Sequence, residues 1–269
     1  MKVKMTLKMP ERHQFILNCL KENPYVEVAY LTEVLKVSEM TIRRDLTKLE
    51  EARFLLRVHG GARRIPSHRY EASLDDRLLL NRKAKEMIAQ YAARLVEDGD
   101  VIAMDASTTT SFMVEYLQNR PITVITNNIS VALGFNKSEN TEVILLGGSV
   151  KGSSLYTYGT DVLDTMRRYH TNKAFFSSTS LDSVHGLTNA GSDEGETKKL
   201  IISSAEHTFL LMDSSKFGTV SFYSVADLSE IDHMITEGER LTPDMQKIVK
   251  YCKDSNTQIH YSDSLKDLV

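Results

Sequence analysis

The sequence predicts two unlike units: a small, mostly helical head closed by a hairpin, and a larger α/β body built on a mainly parallel sheet. Three observations carry this. Over residues 1–69, apolar side chains recur at helical spacing, and 14 Lys+Arg stand against 8 Asp+Glu, a net of +6. The remaining 200 residues reverse the balance, with 19 against 28, a net of −9. In that second part short apolar runs alternate with helix-like segments, the pattern of successive βα units. Residues 1–64 are assigned to the head, 65–76 to a linker and 77–269 to the body.

The bounds are those of a soluble chain. At 269 residues there is length for two cores, and 41% hydrophobic with 26% charged residues is ordinary for a globular protein. No apolar run approaches the ~20 residues of a membrane helix, and no secretory segment follows the basic N-terminus. Cys19 and Cys252 lie far apart and read as free thiols of a reducing, cytoplasmic compartment.

In the head, residues 8–21 predict a first helix, with Ile16, Leu17 and Leu20 on one face and Phe15 beside them. Asn23-Pro24 ends it, because proline disfavours a helical residue before it. Residues 28–35 predict a short second helix with Leu31, Val34 and Leu35 inward. After a tight connection at Lys36-Val37, Ser38 is placed to cap a third helix over residues 39–52. Ile42, Leu46 and Leu49 form its buried stripe. Thr41, Arg44 and Lys48 share the outer face, flanked by Arg43 and Thr47, and Asp45 is placed to orient one of the adjacent arginines.

Helix, short helix, turn and basic helix is the layout of a helix-turn-helix reader, whose second helix enters the major groove of duplex DNA. Arginine suits that helix because its planar fork grips a phosphate or the major-groove edge of guanine. Residues 54–58 then read as a strand. A hairpin through His59-Gly60-Gly61 would lay Arg57, His59, Arg63 and Arg64 along the DNA backbone as a wing.

Beyond a proline-containing, aperiodic linker, a helix from about Ser73 opens the body. Its face of Asp75, Asp76, Arg77, Arg82, Lys83 and Lys85 alternates in sign as a solvated face does, while Met87, Ile88, Tyr91, Leu95 and Val96 supply an apolar stripe. Strands are expected over 101–104, 122–125, 143–146, 173–176 and 208–211, with helices over 112–117 and 196–205. In parallel sheets ligands bind at the carboxyl ends of strands, and these ends carry the polar groups. Ser107, Thr108, Thr109 and Thr110 stand where a helix begins and offer hydroxyls and free amides to a phosphate. Asp105 and Asn127 suit sugar hydroxyls, and Gly147-Gly148 allows close approach to the backbone.

Other chemistries lack their signatures. The run from Gly147 has no phosphate-loop lysine after Gly152, no Gly-x-Gly-x-x-Gly follows a strand, and no Gly-x-Ser-x-Gly elbow is present. The histidines of the body lack metal-ligand spacing. Neither a cofactor nor a metal is expected. The rival reading is an enzyme, a sugar-phosphate isomerase or deaminase with an appended basic head. Its acid/base candidates are Asp105, Asp182, His185 and Glu194, which form no convincing pair by spacing.

The stretch from Arg12 through Ser38, residues 41–46 and residues 58–62 resembles the winged helix-turn-helix of DeoR-type bacterial transcriptional regulators. One departure is Ala52-Arg53-Phe54, where these regulators usually place a glycine. The body resembles the same family through Asp98-Gly99-Asp100-Val101-Ile102, Asp105-Ala106-Ser107-Thr108-Thr109, Thr126-Asn127-Asn128, Leu146-Gly147-Gly148, Lys173-Ala174-Phe175, Lys198 and Ser215-Lys216-Phe217. Ser107 replaces a common glycine, and Thr236-Glu237 a common threonine-aspartate.

The resemblance, over residues 8–240, implies a sensor domain similar in fold to sugar-phosphate isomerases. Its effector would be a phosphorylated sugar or related metabolite, with Lys151 and Lys198 joining the strand-end residues around it. It further implies a cytoplasmic repressor of carbohydrate-metabolism genes that binds operator DNA as a homodimer or homotetramer.

Overall fold

The computed structural model describes residues 9–51, 54–64, 73–238 and 243–262. Contacts divide the chain into two compact units, Met1–Asn81 and Arg82–Val269.

The first unit contains α1 (Met9–Glu22), β1 (Tyr25–Glu27), α2 (Val28–Leu35), α3 (Glu39–Glu51), β2 (Leu55–Val58), β3 (Gly61–Arg64) and α4 (Leu74–Leu79). Ile16, Leu20, Leu31, Leu35, Ile42, Leu46, Leu49 and Leu55 fill its core. The α2 stripe runs through Val28, Leu31 and Leu35, whereas Val34, expected inward, is exposed. Position 34 lies one residue off the i, i+3, i+7 line that meets the core.

Strand β1 was not expected: three residues give too short a period to read. It pairs antiparallel with β3, which pairs with β2, giving the order β1-β3-β2. Gly61 makes that pairing possible, since a Cβ there would fall 2.1 Å from the Val26 carbonyl oxygen. Gly60 adopts φ 78° in the two-residue turn, where glycine carries no steric penalty. The helix expected from Ser73 is two helices. Ser73 caps α4 by accepting the Asp76 amide at 3.3 Å, and the chain then breaks at Asn81, with φ 52°. The linker lies outside the described residues as far as residue 72.

The second unit begins with α5 (Arg82–Arg94). Among the described residues, seven strands form its main sheet: β4 (Val101–Met104), β5 (Thr123–Thr126), β6 (Glu142–Leu145), β9 (Thr171–Phe176), β12 (Ala205–Leu211), β14 (His233–Thr236) and β15 (Gln258–Tyr261). The order is β15-β14-β12-β9-β4-β5-β6, and every pairing is parallel.

Alternation splits the sheet into two buried faces. Ile102, Met104, Val124, Phe175, Phe209 and Leu211 pack against α5. Ala103, Ile125, Ala174, Phe176, Leu210 and Met234 meet α8 (Thr160–Met166), α9 (Ser192–Ser203) and α10 (Pro243–Ser255). Lys85, expected in solvent, is buried on α5.

The helix expected over 112–117 is a four-residue α6 (Thr108–Ser111) continued by a 3-10 turn, Phe112–Tyr116. α7 (Ile129–Gly134) follows β5. Two antiparallel additions stand apart from the main sheet: β7 (Ser149–Lys151) with β8 (Tyr156–Tyr158), and β10 (Ser180–Asp182) with β11 (Gly186–Asn189) and β13 (Tyr223–Ala226).

Candidate nucleic-acid interface and effector site

The basic helix α3 is set by its own ends and by α1. Ser38 Oγ accepts the Thr41 amide at 3.3 Å and lies 3.0 Å from Thr41 Oγ1, so the expected cap forms. At the other end the Phe54 amide donates to the Leu49 carbonyl at 2.8 Å, a bond spanning five residues of the kind that closes a Schellman end. Ala52 and Arg53 lie outside the described residues.

Asp45 does not orient Arg43 or Arg44. It is 2% exposed and accepts Arg12 Nε at 2.7 Å and Nη2 at 3.0 Å, with His13 Nε2 3.2 Å away. Position 45 turns inward with Ile42 and Leu49, so its partner comes from α1. Burial lowers the His13 pKa, against the pull of Asp45.

The outward residues of α3 are Met40, Arg43, Arg44 and Lys48, all exposed, with Thr41 and Thr47 half-buried. Arg43 Nη2 approaches Glu39 Oε2 at 3.3 Å, an exposed pair of little energetic weight. Lys48 Nζ lies 3.3 Å from Met9 Sδ.

The wing is fastened to this helix. Arg57 Nη1 donates to Thr47 Oγ1 at 2.7 Å, and the Arg57 amide donates to Glu50 Oε1 at 2.8 Å. His59 and Arg63 are exposed on the hairpin; Arg64 belongs to β3, and its side chain lies outside the description. Thr47 thus serves as a strut for Arg57.

In the body, the expected strand-end cluster forms around Asp105, but with roles the spacing did not reveal. Asp105 Oδ2 accepts Lys198 Nζ at 2.9 Å and the Ser177 amide at 3.1 Å; Oδ1 accepts the Ser107 amide at 3.1 Å and the Thr110 hydroxyl at 2.9 Å. A carboxylate so fully engaged holds the loop and is not open to a sugar hydroxyl. Lys198 is 1% exposed. It donates to Glu194 Oε1 at 3.1 Å and to the Ser177 carbonyl, which with Asp105 occupies its three donors. Burial raises the Asp105 pKa, but Lys198 and the hydrogen bonds from Ser107 and Ser177 outweigh it and leave the carboxyl below its ordinary value. Burial likewise pulls Lys198 down, and the two carboxylates more than reverse it. Asp105 and Lys198 are thus both held charged.

Ser107 caps α6 by accepting the Thr110 amide at 3.2 Å. The hydroxyls of Ser107 and Thr110 are therefore spent within the turn. Thr109 Oγ1 is buried without a hydrogen-bond partner, and so is Asn127 Oδ1. Asn127 Nδ2 donates to the Thr157 carbonyl at 2.9 Å, and Thr157 Oγ1 donates to the Leu146 carbonyl at 2.6 Å, which ties β8 to the ends of β5 and β6.

Gly147 has no atom within 4 Å of a built Cβ, so its backbone is open to approach. Gly148 is constrained by the protein itself, because a Cβ there would meet the Tyr158 carbonyl oxygen at 2.7 Å and Val162 at 2.8 Å. Lys151 is exposed on β7, and no contact places it against Asp105 or Thr109.

Two further strand-end residues enter the sequence reading only through the family resemblance and not as site residues. Lys216 Nζ donates to Ser177 Oγ at 2.8 Å, and Glu237 accepts the Ser214 amide and hydroxyl, the latter at 2.7 Å. Burial and the neighbouring Asp213 raise the Glu237 pKa. Both residues follow strands of the main sheet, β12 and β14.

Residues 12–68 match the DeoR-like helix-turn-helix domain, and residues 80–238 the DeoR C-terminal sensor domain. The chain is 37% identical over 227 residues to the HTH-type transcriptional repressor GlcR of Bacillus subtilis, covering 84% of this chain and 88% of that protein. It is 31% identical over 232 residues to the glycerol-3-phosphate regulon repressor of Escherichia coli, covering 86% and 92%. Ribose 5-phosphate isomerase A of Methanocaldococcus jannaschii superposes with a TM-score of 0.38 at 20% identity, over 51% of this chain and 54% of that one. With both domains matched in order, the chain belongs to the DeoR family of DNA-binding transcriptional regulators.

Proposed function

We propose that this regulator represses carbohydrate-metabolism genes and releases or tightens its grip on operator DNA when a phosphorylated sugar or related metabolite binds the body. The observation that carries the reading is the pair of buried, unpartnered polar atoms, Thr109 Oγ1 and Asn127 Oδ1, at the ends of neighbouring parallel strands. Buried polar groups are almost always paired, so an unpaired donor and acceptor at a strand-end rim mark a place for a polar ligand. The open backbone at Gly147 and the amides of Thr108 and Thr109 supply the anion side. A relative named for a glycerol-3-phosphate regulon supports the same class of effector.

α3 reads the major groove, with Arg43, Arg44 and Lys48 toward the duplex and Ser38, Thr41 and Thr47 shaping the helix and its wing. Arg57, His59, Arg63 and Arg64 follow the phosphates. The protein acts in the cytoplasm as a homo-oligomer, two heads reading half-sites about 34–36 Å apart. Effector binding need favour one arrangement of heads by only ~1–3 kcal/mol to change operator affinity severalfold or more.

Two observations weigh against turnover of the ligand. Asp105 and Glu194 share Lys198, which removes both as poised bases, and Asp182 with His185 forms a local pair on the β10–β11 turn, where His185 is 59% exposed.

The test uses duplexes enriched by the protein from a random-sequence library, and a panel of sugar phosphates and sugar alcohol phosphates. A panel member should bind in calorimetry, shift operator affinity and remain chemically unchanged. No association across the panel, or association without effect on the DNA complex, would refute the reading.

A further inference from the structure

The outward face of α3 contains one residue that basic-helix reasoning passes over. At 3.6 residues per turn, the line directly opposite the buried stripe of Ile42, Leu46 and Leu49 runs through Met40, Arg44, Thr47 and Glu51. Arg43 and Lys48 lie to either side of it. Met40 is therefore on the midline of the face that meets DNA, in the first turn of the helix, where helix-turn-helix readers contact base edges.

It is also 72% exposed, the most exposed large apolar side chain described in the head. Nothing in the head's core calls for it: Val37 packs at the preceding turn, and Ile42 fills the inward position. A long, unbranched, polarisable side chain there is ill-suited to phosphate and well-suited to an apolar feature. The major groove presents one apolar feature, the thymine methyl group.

We propose that Met40 is a specificity-determining residue that contacts a thymine methyl in each operator half-site, next to the base or phosphate held by Arg44. The proposal rests on the assignment of α3 as the reading helix. Met40 adds no charge, so it selects among sequences without adding to the salt-dependent affinity that the arginines supply. Arg57, locked to Thr47, fixes how deeply the helix sits against the backbone, which gives the Met40 side chain a set depth to fill.

The test takes the tightest duplex that the full-length protein enriches from a random-sequence library. Each thymine is replaced in turn by deoxyuridine, which lacks only the 5-methyl group. Wild type should lose about fourfold in affinity at one position per half-site, the worth of one buried methyl. Met40→Ala should bind the thymine and deoxyuridine duplexes equally at that position. Met40 is exposed and alanine is a strong helix former, so the variant keeps its fold, checked by an unchanged melting temperature. Arg44→Ala should weaken binding at every sequence or at one guanine while keeping the thymine preference.

Wild-type indifference to every replacement would overturn the proposal, as would full methyl discrimination retained by Met40→Ala. A uniform loss by Met40→Ala with discrimination intact would overturn it too. A library from which the protein enriches no duplex would overturn both this proposal and the reading-helix assignment beneath it.

Discussion

Arg12 and Asp45 join the first helix of the head to its reading helix through two bonds, Nε to Oδ2 at 2.7 Å and Nη2 to Oδ1 at 3.0 Å. The carboxylate is 2% exposed and its partner 12%, so the pair acts in a low-dielectric setting and fixes the angle of α3 against α1. Asp45→Ala removes the buried carboxylate that Arg12 and His13 share and is expected to destabilise the head by about 3 kcal/mol, the scale for breaking a buried pair. Calorimetry of the full chain checks this: the head transition should fall while that of the body stays in place. A loss below about 1 kcal/mol would mean that packing alone sets the helix angle.

Thr109 offers a test that separates stability from sensing. Its hydroxyl is buried and unpartnered, so Thr109→Val removes an unsatisfied group at constant shape and should leave stability unchanged within about 0.5 kcal/mol, or raise it. The same change should weaken the response to effector by about tenfold, as expected when one hydrogen bond worth ~1.4 kcal/mol is lost. Operator titrations at graded effector concentrations read the second effect. A variant as responsive as wild type would place the ligand elsewhere.

Lys198 pairs with two carboxyl groups at once. Lys198→Met leaves Asp105 and Glu194 buried and facing each other, and should cost about 3–5 kcal/mol in thermal or urea unfolding. Adding Asp105→Asn and Glu194→Gln should recover part of that loss, because the uncompensated charges go with them. The acid limb follows from the lowered Asp105 pKa. Its contribution is complete above the unfolded value near 3.9 and disappears as the pH falls through the lower folded value.

A histidine chain predicts a second, milder pH dependence. His233 stacks on Phe209 with ring centroids 4.6 Å apart, and its Nδ1 lies 3.1 Å from His260 Nε2, whose other nitrogen lies 3.1 Å from Tyr91 OH. Burial, then His260, and finally His207 lower the His233 pKa below its ordinary 6.5, with Asp232 opposing them. A depressed histidine pKa means that the unfolded chain takes up the proton first. Stability is then complete above about 6.5 and declines as the pH falls toward the folded value. The melting temperature should drop between pH 7.5 and 5.5 in wild type and drop less in His233→Gln. Equal slopes in the two proteins would remove His233 as the source.

Much of this was legible beforehand, and for identifiable reasons. The end of α1, the bounds of α2 and the start of α3 follow from a proline, an apolar stripe and a serine cap, all local signals. The strand ends of the body follow from apolar runs that stop at hydroxyls and amides. What local signals do not carry is which distant groups meet. Asp45 stands next to two arginines in sequence and binds a third from α1. Asp105 looks open to a sugar until Lys198, far along the chain, closes on it.

β1 escapes because three residues show no period. Met40 carries no charge, so the charge pattern that marks the arginines does not mark it. The inverse of the buried stripe would have found it.

Gly61 restricts how this head can change. Any side chain at that position drives a carbon to within 2.1 Å of the Val26 carbonyl oxygen, and so parts the short strand that fastens the hairpin to the helices. The hairpin's frame is thereby closed to substitution, while His59 and Arg63 on its exposed rim can change without disturbing it. New target sequences would therefore be acquired by exchanging solvent-side residues on an invariant skeleton, not by reshaping the skeleton itself.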